Sequence, residues 1–205
     1  MHLIGSAGGP HGGDDLGLEV VVTAGTTVTV RSVAATMAMP GDGTPSRYRL
    51  DVVVEAGASL RWLPEPLVAV AGCDHHTHAL LHLAADADLV WSDELVLGRH
   101  GQPPGNVTST LRIVRDDQPV LHHTFGTALP GWDSPAVTAG AHSIGLVATV
   151  GQPGRAVAGQ ALPVAGVQTA VSRLSDDVTV AVGLAEGHAA LRRALRAVLP
   201  SWASP

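Results

Sequence analysis

Four histidines fall within eight positions of the stretch GCDHHTHALLHL (residues 72–83): His75, His76, His78 and His82. Imidazole is the commonest metal ligand among side chains, so the first question is whether the four could share an ion. On a strand, His76, His78 and His82 point to one face and His75 to the other. At about 3.3 Å per residue, positions i, i+2 and i+6 spread over roughly 20 Å, too far for one metal. Only His76 and His78 can chelate together, and a third ligand would have to come from elsewhere. An H-x-H pair in a cupin metal site wants a glutamate four or five residues on, where His82 and Leu83 stand. Two readings stay open: solvated histidines on an exposed strand, or a small His-rich metalloenzyme centred on His76 and His78.

Other chemistry is thinner. All twelve basic residues are arginine. A phosphate-binding P-loop lysine, a Schiff-base lysine and a lysine general base are therefore excluded. No G-x-S-x-G elbow is present. Acidic doublets occur at Asp14-Asp15, Asp93-Glu94, Asp116-Asp117 and Asp176-Asp177. Neighbours on a strand face opposite ways, so such doublets seldom act jointly and most read as turn or strand-end charges. Glu94 stands apart because it follows an apolar strand and precedes Gly98-Arg99. A buried carboxylate there needs a partner, and Arg99 is the nearest candidate in sequence.

These residues must be positioned by a mainly β scaffold. The apolar content, 45%, is dominated by valine, alanine and leucine, which suits sheets. LEVVVTAGTTVTV (18–30), LDVVVEAGASLRW (50–62) and ALLHLAADADLVW (79–91) each read as strand, small-residue turn, strand. Their turns, at Gly25, Gly57 and Asp86, recur about every 30 residues, the spacing of stacked repeat units. The expectation is a chain of hairpins, with parallel stacking between units. HAALRRALRAVL predicts an amphipathic helix stopped by Pro200, with Leu191, Leu195 and Val198 on one stripe and Arg192, Arg193 and Arg196 opposite. SDDVTVAVG before it fits strand or helix.

Length and charge bound the class. A chain of 205 residues is most simply one domain, here a β scaffold over 1–175 and a helical tail over 176–205. A formal charge of −6 argues against a nucleic-acid partner. A single cysteine, no leader-like start and no apolar run of spanning length lead to the expectation of a cytoplasmic protein away from membranes.

Four segments carry a family resemblance: GGPHGGDDLGLEVVVTAG (8–25), AGASLRWLPEPLVAVAG (56–72), LVWSDELVLGRHG (89–101) and STLRIVRDDQPVL (109–121). In order and over nearly the whole chain, they resemble the motifs of UreD-type (UreH) urease accessory proteins. Gly12-Gly13-Asp14, Leu60, Trp62-Leu63-Pro64 and Glu94 through Gly98-Arg99 are the most specific parts. The resemblance implies a right-handed β-helix-like scaffold with two C-terminal helices, and a non-enzymatic role. It implies as partners the urease apoprotein, a UreF-like protein and a UreG-like GTPase. It also implies transient nickel, with no tightly bound cofactor, carried through an internal tunnel. On it, Asp14, Glu65 and Glu94 are the nickel-path candidates, Arg99 orients Glu94, and Trp62, Pro64 and Gly98 are structural. Leu191, Arg192, Arg193, Leu195 and Arg196 are the partner-docking candidates. The chain departs from the family pattern at Met37, Met39, Pro66 and Pro103-Pro104, so fewer carboxylates stand at the family's places. The chain also begins near the glycine-aspartate motif, without the N-terminal strands of longer members, and is expected to need its UreF-like partner to stay soluble. A β-solenoid adhesion or carbohydrate-binding module is a third reading, disfavoured by the single cysteine.

Overall fold

A computed structural model describes residues 1–5, 8–157 and 164–199. The short β1 (His2–Leu3) is followed by a first coil of β2 (Asp15–Val22), β3 (Thr27–Ser32) and β4 (Thr36–Ala38). A second coil holds β5 (Ser46–Val54), β6 (Ser59–Trp62) and β7 (Leu67–Ala69), and a third β8 (Asp74–Leu83) and β9 (Asp88–Leu97). Then come β10 (Asn106–Arg115), β11 (Gln118–Gly126), β12 (Ser143–Val150), α1 (Gln152–Ala156), β13 (Val167–Ser175), β14 (Val178–Ala185) and α2 (His188–Val198).

The three repeated segments are arches rather than hairpins. In each, the first strand joins a five-stranded sheet, ordered β11-β10-β8-β5-β2, and the second joins a nine-stranded sheet. That larger sheet runs β1-β3-β6-β9-β12-β14-β13, with β7 also beside β9 and β4 beside β7. Pairing is between coils and parallel: Val20 meets Val52, Val52 meets Leu81, and Leu60 meets Leu89. Period-2 alternation alone does not distinguish the two, because an arch and a hairpin bury the same alternate residues. The result is a β-solenoid of about four turns. Its corners stack on one another: the Gly25 amide donates to the Ala56 carbonyl at 3.0 Å, and the Gly57 amide to the Asp86 carboxylate at 3.0 Å. Gly25 and Gly57 turn with φ of 69° and 64°, where a side chain would be strained.

True hairpins appear only late. β10 and β11 pair antiparallel about Asp116 and Asp117, both at positive φ, as a tight two-residue turn of this hand requires. β13 and β14 form another antiparallel pair. The ambiguous SDDVTVAVG is thus strand, and the β scaffold runs on to Ala185 instead of closing at 175. Among the described residues one helix, α2, follows the last strand; the rest of the tail, with Pro200, lies outside them. The extended backbone of Leu199 is the conformation a following proline imposes.

Between the two sheets lies the main core, built from Leu60, Leu81, Leu89, Ile113 and their neighbours. Trp62 and Trp91, paired across β6 and β9, stack there with ring centroids 5.1 Å apart. A second layer covers the outer face of the larger sheet, where Leu191, Leu195 and Val198 of α2 pack on Val90, Val147 and Ala181. β12 is consequently buried along its whole length. Gly145 and Gly183, partners across β12 and β14, make the seat for the helix. A methyl on Gly145 would fall 2.4 Å from Leu195 and one on Gly183 2.6 Å from Leu191. Burying each of these leucines is worth about 1.5–3 kcal/mol.

Candidate functional site

Strand β9 carries two carboxylates side by side, and the pleat sends them to opposite environments. Glu94 faces α2 and is 7% exposed. Its Oε2 accepts hydrogen bonds from His188 Nε2 at 2.5 Å and Arg192 Nε at 3.0 Å, and its Oε1 accepts one from Ser92 at 3.2 Å. Arg192 Nη1 reaches on to Glu65 at 2.6 Å. Burial alone would raise the Glu94 carboxyl. The His188 hydrogen bond and the Arg192 charge outweigh it and hold the group below the ordinary carboxylate range.

Arg192, a residue of α2, does what sequence proximity assigns to Arg99. Arg99 is exposed, and its guanidinium lies 3.5 Å from Met39 Sδ. The difference is one of tertiary distance: 98 residues separate Glu94 from its arginine. The structure brings Glu65 and Glu94 together under that one arginine. Asp14 stays apart in a local turn, exposed, accepting from the His11 amide at 2.9 Å. Trp62, Leu63 and Pro64 lead the chain from the core, past α2, to Glu65, and Gly98 ends β9. Of the docking candidates, Leu191 and Leu195 are buried against the sheet and Arg192 is ion-paired at 16% side-chain exposure; Arg193 and Arg196 face solvent.

Asp93 points the other way, into the space between the sheets. It lines a cavity of about 320 Å³ whose walls include Leu95, Phe125, Ile144, Leu146 and Val182. The polar residues lining it are Asp93 from β9, Ser109 from β10, and His123 and Thr124 from β11. Ser109 donates to the Asp93 carboxylate at 2.5 Å. Among the described residues Asp93 forms no ion pair with an arginine, in contrast to Glu94. Burial raises the Asp93 carboxyl, with the Ser109 hydrogen bond and His123 opposing it; burial also lowers the His123 imidazole, opposed by Asp93. A lone carboxylate, a hydroxyl and an imidazole around a pocket form a sparse, open set of oxygen and nitrogen donors, fewer than a closed metal site uses. Sequence reasoning passed over Asp93 and His123. The available signal was the inward parity of Asp93 with Trp91 and Leu95 on β9.

The opening histidines separate by face. His75 is fully buried, bonded to Ser46 (2.8 Å) and Thr77 (3.1 Å), and burial pushes its imidazole down to about 4. His76, His78 and His82 lie outside, with Arg47 and Arg49 in register beside His76 and His78. Arg49 is itself paired with Asp15 at 3.2 Å, and His76 Nε2 lies 3.3 Å from the Asp74 carboxylate. Among the described residues no three His, Cys, Asp or Glu side chains are grouped so as to hold a metal ion. Replacing His76, His78 and His82 together by Asn is expected to leave the melting temperature unchanged, as exposed substitutions usually do, and to remove no tight divalent-metal binding measured by calorimetry. Loss of a tight metal site with the fold intact would move the site to this face.

The sequence profile described as UreD urease accessory protein matches residues 1–204. The chain belongs to the UreD family. A protein named urease accessory protein UreD from a Parafrankia species is 39% identical over 86% of this chain and 70% of its own length. The Streptomyces avermitilis protein of the same name is 36% identical over 97% of this chain and 80% of its own. The Frankia casuarinae protein is 39% identical over 74% of this chain, which spans about half of that relative. UreD proteins are named for an accessory role, not for a reaction they catalyse. No helix among the described residues is long and apolar enough to cross a membrane.

Proposed function

We propose that this UreD-family chain serves urease maturation as a non-enzymatic scaffold. It joins the urease apoprotein to UreF-like and UreG-like partners and lets nickel pass through the interior cavity at Asp93. The observation that carries this reading is the placement of Asp93: an inward carboxylate without an arginine, with Ser109 and His123 at the same cavity. A structural carboxylate is expected to have a counter-ion, as its neighbour Glu94 does. A donor set of this kind holds a hydrated cation loosely enough to release it, whereas a closed four-ligand site would trap it. Nickel here is cargo. The absence of any lysine fits a protein that leaves nucleotide chemistry to a GTPase partner.

The test is urease activity and nickel content in cells carrying the urease genes, with the chain supplied as parent or as Asp93→Asn. Retained activation at normal expression would remove the cavity from the route.

Docking to an accessory partner is assigned to the exposed side of α2. Arg193 and Arg196 project there while the apolar stripe is consumed by the sheet. Arg193→Glu with Arg196→Glu should weaken co-purification with the UreF-like partner and reduce its sensitivity to salt, since exposed charges act through screened electrostatics. Circular dichroism should not change. Undiminished co-purification would place the interface elsewhere.

A further inference from the structure

The cavity has a roof, and the roof is internally uncomfortable. Residues 127–142 leave β11, cross the mouth and return at β12, with Ala136 and Val137 among the lining residues. Val137 is 47% exposed, at the rim. The segment is a run of turns held largely by itself. The Ser134 carbonyl accepts from the amides of Val137, Thr138 and Ala139 at 3.0–3.1 Å, and the Thr138 carbonyl accepts from Ala141 at 2.8 Å. Two local defects sit at its centre. Thr138 is 2% exposed, yet among the described residues its hydroxyl has no hydrogen-bond partner. Ala139 holds φ at 49°, in the left-handed region that disfavours any residue with a Cβ. Gly131 and Gly140, with φ of 75° and 79°, bracket these positions. Trp132, packed beside Leu95 and Ile144, anchors the near end.

We propose that residues 133–139 form a lid on the cavity, opening between the Trp132 anchor and Gly140, with the orphan Thr138 hydroxyl and the strained Ala139 keeping the closed state shallow. Opening lets water reach the hydroxyl and lets Ala139 relax, so both defects favour release. Closing recovers the apolar contact of Val137 and Ala136 with the cavity wall. A lid of this kind admits or releases an ion at Asp93 without disturbing the solenoid. The functional use of opening rests on the reading of the cavity as the nickel passage, but the opening itself can be measured apart from nickel and urease.

The experiment places a thiol on the cavity wall with Ser109→Cys in the full chain and follows its modification by a small methanethiosulfonate reagent. Cys73 gives little background, because it is buried and its thiol is pushed up to about 11. Thr138→Val removes the orphan hydroxyl at nearly constant shape, and Ala139→Gly removes the strain. Together they should slow labelling about tenfold or more by stabilising the closed lid, with a melting temperature equal to or above that of Ser109→Cys alone. Labelling should also be nearly independent of low urea, since a local opening exposes little surface. Unchanged labelling in the double variant would overturn the lid, as would a urea dependence as steep as that of global unfolding. Urease activation by Asp93→Asn is decided separately: retained activation removes the nickel route and leaves the lid measurement standing.

Discussion

Replacing Glu94 by alanine is expected to cost about 3–5 kcal/mol of folding stability, the usual penalty for stranding one member of a buried ion pair. Removal leaves Arg192 with Glu65 alone, and Glu65 is half-exposed and a weaker counter-ion in water-accessible surroundings. It also strips His188 and Ser92 of their common acceptor. Because His188 and Arg192 belong to α2, the helix should loosen first. Protection of amides in residues 188–198 against hydrogen exchange would drop before that of β9. The same pair gives a pH signature. Glu94 is held below its unfolded value, so its contribution is fully present above about pH 4.3 and is lost as pH falls through the folded value. The Glu94→Ala protein should therefore lose less stability than the parent on acidification. Chemical denaturation at neutral and acid pH measures both effects. A variant as stable as the parent would mean that the network is ornamental.

The second large effect has the opposite sign for stability. Asp93→Asn is expected to reduce urease activation by roughly 10–100-fold, the scale on which metal-site substitutions act. The same substitution should raise the melting temperature by a few degrees. Burial raises the Asp93 carboxyl, so its ionised form favours the unfolded chain; stability from this group is full below its unfolded value and lost as pH rises through the folded one. Asparagine keeps an acceptor for Ser109 and removes the charge. A gain in stability with a loss of activation separates a carboxylate kept for use from one kept for structure. If activation and stability fall together, Asp93 is a structural residue. Glu94 and Asp93, adjacent in sequence, should thus fail in different ways.

Much of the solenoid is legible in the chain because each corner recurs locally: alternating valines, a glycine or aspartate turn, alternation again, at intervals near 30 residues. Those signals sit within a dozen residues and depend on backbone sterics and side-chain parity. The helix at 188–198 is equally local, with its leucine stripe written at i and i+4. The family resemblance added the accessory role, which composition and spacing do not contain. What the chain alone leaves open is every decision that turns on distance across the fold. Whether 18–30 is a hairpin or an arch depends on which strand the second half meets, and that partner lies in another coil. Arg99, five residues from Glu94, loses to Arg192, because α2 folds back over β9. Asp93 and Glu94 differ only in parity until two sheets and a helix close around β9; one then finds a guanidinium and the other a cavity shared with Ser109 and His123. The four histidines follow the same logic. Parity separated His75 from His76, His78 and His82 in the sequence alone, and the closed solenoid decided that His75 is the buried one. The arginines of β5 beside His76 and His78 were set there by a parallel register that only the tertiary structure decides.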